Sequence, residues 1–375
     1  MTLSIDELES AASAAVGGLT DFGNDDHRPG LAALITAAAT SPHAGQALDA
    51  RVRYTAVDAL ASRLCSHAAW AARPQCLTAP LAPQLVVLGL PRSGTTALHQ
   101  ILAADPAHQW IPAWLAPRPR PRPTPDKWAD QPEYQRAVEA YRVNGPNALH
   151  DVGPEDPEEC LQIMRQSFVS MLWVSSLALP AYHEWFVTQD ERPSYRRYAD
   201  NLRLIGADDT DRTWLLKNPS HTFGLSAMLH EFPDAVFVHI YRDPADTIVS
   251  GCSLIGSMGF GPGGFTAQEL GAHRLRIWSL AADRMESARA AAPERTIIDV
   301  SYRRFIADPV GTAREIYARL GREYTPVAEA AMQQWRRDRP KDKHGAHRYA
   351  AADFGLTAGA IRDRMAGYIE RYDID

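Results

Sequence analysis

The sequence lacks several features that would assign it to other classes of protein. Its four cysteines show no paired spacing, which is typical of buried free thiols in a reducing compartment and not of a disulfide framework. It has no apolar run near the ~20 residues that a membrane-spanning helix needs, and no basic-then-apolar signal segment at its start. The sequence therefore predicts a protein without a membrane span, and the cytoplasm is the expected compartment.

An excess of positive charge is also absent. The net charge is −6 over 375 residues, so the chain has no basic field that would favour nucleic acid as a partner. Lysine is scarce, because only four of the 39 basic residues are lysine. Lysine and arginine differ chemically, so a lysine kept at the end of a predicted strand, Lys217, is a candidate for function.

The remaining pattern predicts an α/β fold. Apolar segments ending before Gly89 and covering residues 213–216, 235–241 and 296–300 indicate buried strands, and helical patterns separate them. Strands that alternate with helices predict a central parallel sheet with helices on both faces.

Two helical regions flank this sheet in the sequence. Residues 1–80 are rich in alanine and predict a helical N-terminal extension, either a cap on the main domain or an oligomerisation surface. Residues 81–375 form the main domain, with a helical insert at about 110–205. The insert's aromatic residues either line an acceptor pocket or fill its own core. Residues 111–125 alternate arginine with proline, which predicts an extended, solvated connector.

The segment between the first strand and the next helix has the composition of an anion-binding loop. Gly89 and Gly94 stand five residues apart, which lets backbone N–H groups converge on a phosphate at a helix N-terminus. The loop departs from the Walker A pattern because Thr95 follows Gly94 where that pattern has lysine. It is therefore poorly suited to ATP hydrolysis. The candidate anion-binding residues are Arg92, Ser93, Gly94, Thr95 and Thr96.

Two further strand ends carry polar groups. Lys217 begins the segment Lys-Asn-Pro-Ser-His that ends at His221, and Arg242 follows another strand with Ser250 eight residues later. Ligands of open parallel sheets bind beyond the carboxyl ends of the strands. These positions therefore predict a second anion site near the first.

Over about residues 84–370 the chain resembles the bacterial sulfotransferases that use 3′-phosphoadenosine 5′-phosphosulfate, whose fold is related to that of the P-loop kinases. Leu-Pro-Arg-Ser-Gly-Thr-Thr, residues 90–96, is similar to the family's 5′-phosphosulfate loop. Residues 241–250 are similar to its 3′-phosphate element, with the same spacing from Arg242 to Ser250. The resemblance implies that Tyr302 contacts the adenine, and that Arg348 or Lys343 closes over the 3′-phosphate.

The resemblance also implies the reaction. A sulfuryl group would pass in line from the donor to a hydroxyl, less readily an amine, of a small acceptor, without a metal. The aromatic residues of the insert suggest an apolar or aromatic acceptor. Arg92 and Lys217 are the expected cations at the bridging oxygen, and Thr95, Thr96 and the loop amides are expected to hold the 5′-phosphate.

The general base has several candidates. His221 is the first, because it lies four residues past Lys217 at a strand end and has a suitable pKa range. Glu159 and His150, in the acidic segment 150–159, are the alternatives. The glutamates could also form a charge cluster at a helix N-terminus.

Two other functions remain open at this point. A P-loop kinase would need a lysine after Gly94 and an acidic Mg²⁺ ligand, for which Asp299 is a weak candidate. A non-catalytic nucleotide-binding protein would be expected to have lost a catalytic group, whereas Arg92, Lys217 and His221 are all chemically competent. A homo-oligomer is compatible with the sequence.

Overall fold

The computed structural model of the chain describes residues 3–145, 152–257, 264–339 and 350–374. Its strands form one parallel sheet in the order β2-β3-β1-β4-β5. This confirms the predicted central parallel sheet. The strands are β1 Gln84–Leu88, β2 His108–Gln109, β3 Thr213–Lys217, β4 Val236–Tyr241 and β5 Ile297–Ser301.

Helices cover both faces of the sheet and build the N-terminal extension and the insert. They are α1 Ile5–Ala15, α2 Arg28–Thr40, α3 Gln46–Ala72, α4 Thr95–Ala103, α5 Pro132–Asn144, α6 Leu161–Met164, α7 Met171–Ser176, α8 Pro180–Phe186, α9 Arg192–Ile205, α10 Leu225–Glu231, α11 Pro244–Ser257, α12 Ala267–Ala291, α13 Tyr302–Ala307, α14 Pro309–Arg319, α15 Pro326–Asp338, α16 Ala358–Arg364 and α17 Ala366–Tyr372. Within the described ranges, no helix combines the length and apolarity needed to cross a bilayer.

The central strand β1 explains why the sheet is covered on both faces. All five of its residues are buried, and successive side chains point to opposite faces. Leu85 and Val87 pack in the cluster that includes α4 and α14, whereas Val86 and Leu88 pack in the larger cluster that includes the insert. The continuous apolar run is therefore that of a strand with two buried faces.

The edge strand β2 is protected by arginine side chains. Arg122 donates to the carbonyl oxygen of Trp110 at 2.6 Å, and Arg212 donates to that of His108 at 3.2 Å. Unpaired carbonyls of an edge strand would otherwise invite pairing with another chain. The Arg-Pro segment thus serves as a cover for the sheet edge.

The arginines of that segment differ from the expected solvated connector, because each has a carboxylate partner. Arg118 pairs with Asp58 at 2.8 Å, Arg120 with Glu133 at 2.7 Å and Arg122 with Asp209 at 2.5 Å. The sequence shows the extended backbone that proline imposes, but the acidic partners come from distant positions.

The N-terminal extension shares a hydrophobic core with the insert. Arg63 of α3 is fully buried, pairs with Asp26 at 2.7 Å and donates to the Phe22 carbonyl at 2.7 Å. Gly30 of α2 lies so close to the insert that a β-carbon on it would stand 2.7 Å from Cβ of Phe168. One face of the N-terminal extension therefore packs against the insert, as expected of a helical cap.

This close approach predicts opposite effects for two glycine-to-alanine variants. Gly30→Ala should lower the free energy of unfolding by roughly 1–3 kcal/mol, because the new methyl overlaps the Phe168 backbone. Gly367→Ala in α17, where a β-carbon meets nothing within 4 Å, should raise it by up to about 1 kcal/mol through helix propensity. Urea unfolding of both variants checks this. Equal effects of the two variants would contradict the packing described.

Candidate active site

The loop between β1 and α4 has the backbone shape of an anion site. Arg92 and Gly94 both adopt positive φ, 69° and 98°, and Gly94 is the N-cap of α4. The first intrahelical bond runs from the Leu98 amide to the Gly94 carbonyl at 3.0 Å. The amides of Thr95 and Thr96 precede it and have no intrahelical acceptor, so they are available to an anion at the positive end of the helix dipole.

Lys217 lies at the end of β3, directly beside this helix N-terminus. Its side chain is 1% exposed, and its Nζ lies 3.2 Å from Thr96 Oγ1 and 2.5 Å from Glu159 Oε1. A hydrogen bond of 3.0 Å from the Cys160 amide to the Lys217 carbonyl ties the segment carrying Glu159 to the strand. Three candidate residues, distant in sequence, therefore meet at one point.

The second anion element meets the first through its arginines. Arg92 Nε donates to Ser250 Oγ at 3.2 Å, and Arg242 donates to the Arg92 carbonyl at 3.2 Å. The Arg242 guanidinium also lies 4.5 Å from the ring centroid of Tyr302, a cation–π distance. A β-carbon on Gly94 would stand 2.8 Å from that ring. Five of the candidate residues are thus linked by successive contacts around the loop.

Acidic groups hold this second element in place. Asp243 accepts from the Ala245 amide at 2.8 Å, which caps α11, and also pairs with Arg362 of α16. Asp246 pairs with Arg242 at 3.0 Å. A phosphate that binds Arg242 would share or displace that carboxylate.

His221, the first choice for the base, lies inside the core. It is 0% exposed, and its Nδ1 is 2.9 Å from the hydroxyl of Tyr195. Burial lowers the pKa of His221 to about 3. His221 is thus enclosed by the core, whereas the side chain of Glu159 is 19% exposed beside Lys217.

The structure describes the surroundings of one further candidate, Ser93, but not those of three others. Ser93 is fully buried, and its hydroxyl has no hydrogen-bond partner. His150, Lys343 and Arg348 lie outside the described residues, so the structure has no bearing on their assignments. Among the described residues, no group of three or more His, Cys, Asp or Glu side chains is arranged to hold a metal ion.

Glu158 precedes the candidate base Glu159 and has an environment that the sequence does not reveal. Its carboxylate accepts from the Glu159 amide at 2.7 Å, and its own amide donates to the Ile111 carbonyl at 2.8 Å. Burial raises the pKa of Glu158 to about 7, within the range useful for proton transfer. A glutamate within an acidic run looks like a solvated charge in sequence, so only its place before the buried Cys160 hinted at this environment.

Comparisons of this chain with a family profile, with individual proteins and with solved structures all find sulfotransferases. The profile of the sulfotransferase family matches residues 83–326. The omega-hydroxy-beta-dihydromenaquinone-9 sulfotransferases Stf3 of Mycobacterium tuberculosis and Mycobacterium bovis are 23% identical to this chain over 246 residues, which is 64% of this chain and 63% of theirs.

Two crystal structures resemble the whole fold. Sulfotransferase STF1 from Mycobacterium tuberculosis H37Rv is 35% identical with a TM-score of 0.89, over 98% of this chain and 99% of that one. Sulfotransferase STF9 from Mycobacterium avium is 27% identical with a TM-score of 0.88, over 100% of this chain and 98% of that one.

The raised pKa of Glu158 predicts a pH-dependent stability effect. The folded-state pKa of about 7 exceeds the ordinary value of 4.5, so this group's contribution to stability is lost as pH rises from 4.5 through 7. Glu158→Gln removes the titration. Relative to wild type, this variant should therefore gain unfolding free energy between pH 4.5 and pH 8. Urea titrations at both pH values measure it, and a pH-independent difference would contradict the assigned environment.

Proposed function

Because the chain belongs to the sulfotransferase family, we propose that it moves a sulfuryl group from 3′-phosphoadenosine 5′-phosphosulfate to a hydroxyl of a small molecule. The observation that carries this proposal is the meeting of two anion-binding elements. Arg92 contacts Ser250 at 3.2 Å, and Arg242 contacts the Arg92 carbonyl at the same distance. A donor with a 5′-phosphosulfate and a separate 3′-phosphate requires two such elements side by side.

The proposed roles in donor binding follow from these positions. The amides and hydroxyls of Thr95 and Thr96 take the 5′-phosphate at the helix N-terminus. Arg242 and Ser250 take the 3′-phosphate, and Tyr302 packs against the adenine. The charged guanidinium gives the 3′-phosphate contact most of its strength.

The proposed chemistry is an in-line displacement at sulfur. A bond forms between the acceptor oxygen and sulfur while the bond from sulfur to the phosphate oxygen breaks, and adenosine 3′,5′-bisphosphate leaves. The Glu159 carboxylate takes the proton of the attacking hydroxyl. Lys217 and Arg92 supply positive charge at the departing oxygen, where negative charge develops.

The pairing of Lys217 with Glu159 suits the two proposed tasks, proton removal from the acceptor and stabilisation of the leaving group. Glu159 Oε1 lies 2.5 Å from the Lys217 ammonium, so the proposed base and the proposed leaving-group cation are in direct contact. Because Thr96 contacts the same ammonium at 3.2 Å, Lys217 lies between the proposed base and the proposed donor site. Proton removal and leaving-group stabilisation therefore occur side by side.

For the acceptor we propose an apolar molecule that carries a hydroxyl. The support comes from the mycobacterial Stf3 relatives, which are named as sulfotransferases of omega-hydroxy-beta-dihydromenaquinone-9. The insert's aromatic residues give less support than the sequence suggested, because Phe168 and Trp173 are at most 1% exposed and stack on each other at 4.9 Å. The cytoplasmic location and the oligomeric state stay predictions.

The contacts of Asp299 disfavour the kinase alternative. This carboxylate, which a kinase would use for Mg²⁺, is bound by Arg289 at 2.7 Å and by His239 at 2.9 Å. The assembled cluster of Lys217, Glu159 and Thr96 likewise disfavours a non-catalytic binding protein.

The donor assignment predicts a selective loss of affinity. Arg242→Ala should weaken binding of adenosine 3′,5′-bisphosphate by roughly 10- to 100-fold, because it removes a charge-assisted contact to phosphate. Adenosine 5′-monophosphate, which lacks the 3′-phosphate, should bind both proteins about equally. Calorimetry measures both affinities, with Arg304→Ala as control because that surface arginine pairs with Glu315. Equal losses for the two nucleotides would refute the 3′-phosphate site.

If Glu159 is the base, substitutions of Glu159 and of His221 should lower kcat by different amounts. Glu159→Gln should lower kcat by roughly 10²- to 10⁴-fold, because the amide cannot accept the acceptor proton, while bisphosphate affinity changes little. His221→Gln should retain kcat in whatever fraction stays folded. Turnover of the donor with a panel of apolar alcohols and amines, normalised to folded protein, gives the comparison. A large loss in His221→Gln with little loss in Glu159→Gln would return the role to His221.

A further inference from the structure

The side chain of Arg274 is a buried charge to which the described residues give no counter-charge. Arg274 lies on α12 and is 4% exposed. Its Nε is buried without a hydrogen-bond partner, and no described carboxylate pairs with its guanidinium. Burial lowers the pKa of Arg274 to about 10, so the group is still positive at neutral pH. Isolated charges in a protein interior are strongly unfavourable unless something pairs with them.

Two other buried arginines have a carboxylate partner, whereas Arg197, which is 8% exposed, has the side chains of Gln166 at 2.9 Å and His67 at 3.0 Å as partners. Arg63, which is 0% exposed, binds Asp26 at 2.7 Å, and Arg165, which is 7% exposed, binds Asp58 at 2.7 Å. Arg274 instead lies 5.3 Å from the Trp278 ring centroid and near Cys252. Burial raises the pKa of Cys252 to about 11, so that thiol supplies no negative charge at neutral pH.

The guanidinium points at the helix that carries the proposed 3′-phosphate contact. A β-carbon on Gly251 of α11 would stand 2.9 Å from a terminal nitrogen of Arg274, so the glycine provides the space for this approach. Gly251 directly follows Ser250, whose hydroxyl accepts from Arg92 at 3.2 Å. The residue that Arg274 approaches is therefore the neighbour in the chain of Ser250, which belongs to the proposed ligand site.

We propose that Arg274 binds an anionic group of a substrate, a phosphate, sulfate or carboxylate, that enters beside Ser250 and Gly251. The inference rests on the proposed function, since it adds a third arginine to that site. The anion belongs either to the 3′-phosphate of the donor or to the acceptor. In both cases the ligand supplies the negative charge that the described residues do not.

The first test separates a binding role from a structural one. Arg274→Met keeps the length and apolar contacts of the side chain but removes the unpaired charge, so the melting temperature should stay equal or rise. Arg63→Met should lower it, because that guanidinium is paired. Arg284→Met is the matched control, since Arg284 is on the same helix and also lies over a ring, Phe223, at 4.1 Å. A marked fall in the melting temperature of Arg274→Met would overturn the proposal.

The second test identifies the source of the anion. If the donor supplies it, Arg274→Met should weaken adenosine 3′,5′-bisphosphate by roughly tenfold or more while adenosine 5′-monophosphate binds as before. Arg274→Lys, which keeps the charge, should recover part of the loss. If the acceptor supplies it, bisphosphate affinity should not change. Inorganic sulfate at constant ionic strength should then raise the melting temperature of the wild-type bisphosphate complex more than that of the Arg274→Met complex.

Failure of this inference is distinguishable from failure of the proposed function. Wild-type protein that does not bind the bisphosphate would refute the donor assignment itself. Wild-type protein that binds it, with Arg274→Met unchanged in both nucleotide affinity and sulfate response, would refute the role of Arg274 alone.

Discussion

The buried ammonium group of Lys217 joins the three parts of the proposed active site. It extends from the end of β3, contacts Thr96 in the first turn of α4 and pairs with Glu159 in the insert. A charge that is only 1% exposed would be costly without the carboxylate at 2.5 Å. The sheet, the loop between β1 and α4 and the insert are thereby held in one arrangement, and the proposed leaving-group cation lies beside the proposed base.

The second half of the site is organised by charges around the start of α11. Arg242 binds the backbone of the phosphate loop and lies over Tyr302, while Asp243 caps the helix and reaches Arg362 near the C-terminus. Because Arg242 follows β4 and Tyr302 follows β5, a nucleotide held by these groups would lie on the β4–β5 side of the central strand β1. The position of the site at the carboxyl ends of β1, β3 and β4 is the one expected for a parallel sheet.

The apolar strand patterns and the two anion motifs could be read from the sequence because each is local. The two-residue strand β2 was not predicted, since two residues show no periodicity. The depth of His221 also escaped prediction, because a histidine near a strand end looks the same in sequence whether it faces a cleft or, as here, Tyr195 and Tyr198. Glu158 escaped for the converse reason. Its acidic neighbours suggested that the side chain is solvated, whereas burial in the folded chain raises the pKa of its carboxyl.

The most direct test of this account is a calorimetric titration of the wild-type chain with adenosine 3′,5′-bisphosphate and, separately, with ATP and Mg²⁺. The account predicts that the bisphosphate binds more tightly, because Arg242 and Ser250 lie where a 3′-phosphate reaches and the loop has Thr95 in place of the Walker lysine. Tighter binding of ATP with Mg²⁺ would contradict the account and would make the protein a nucleotide phosphotransferase built on the same sheet.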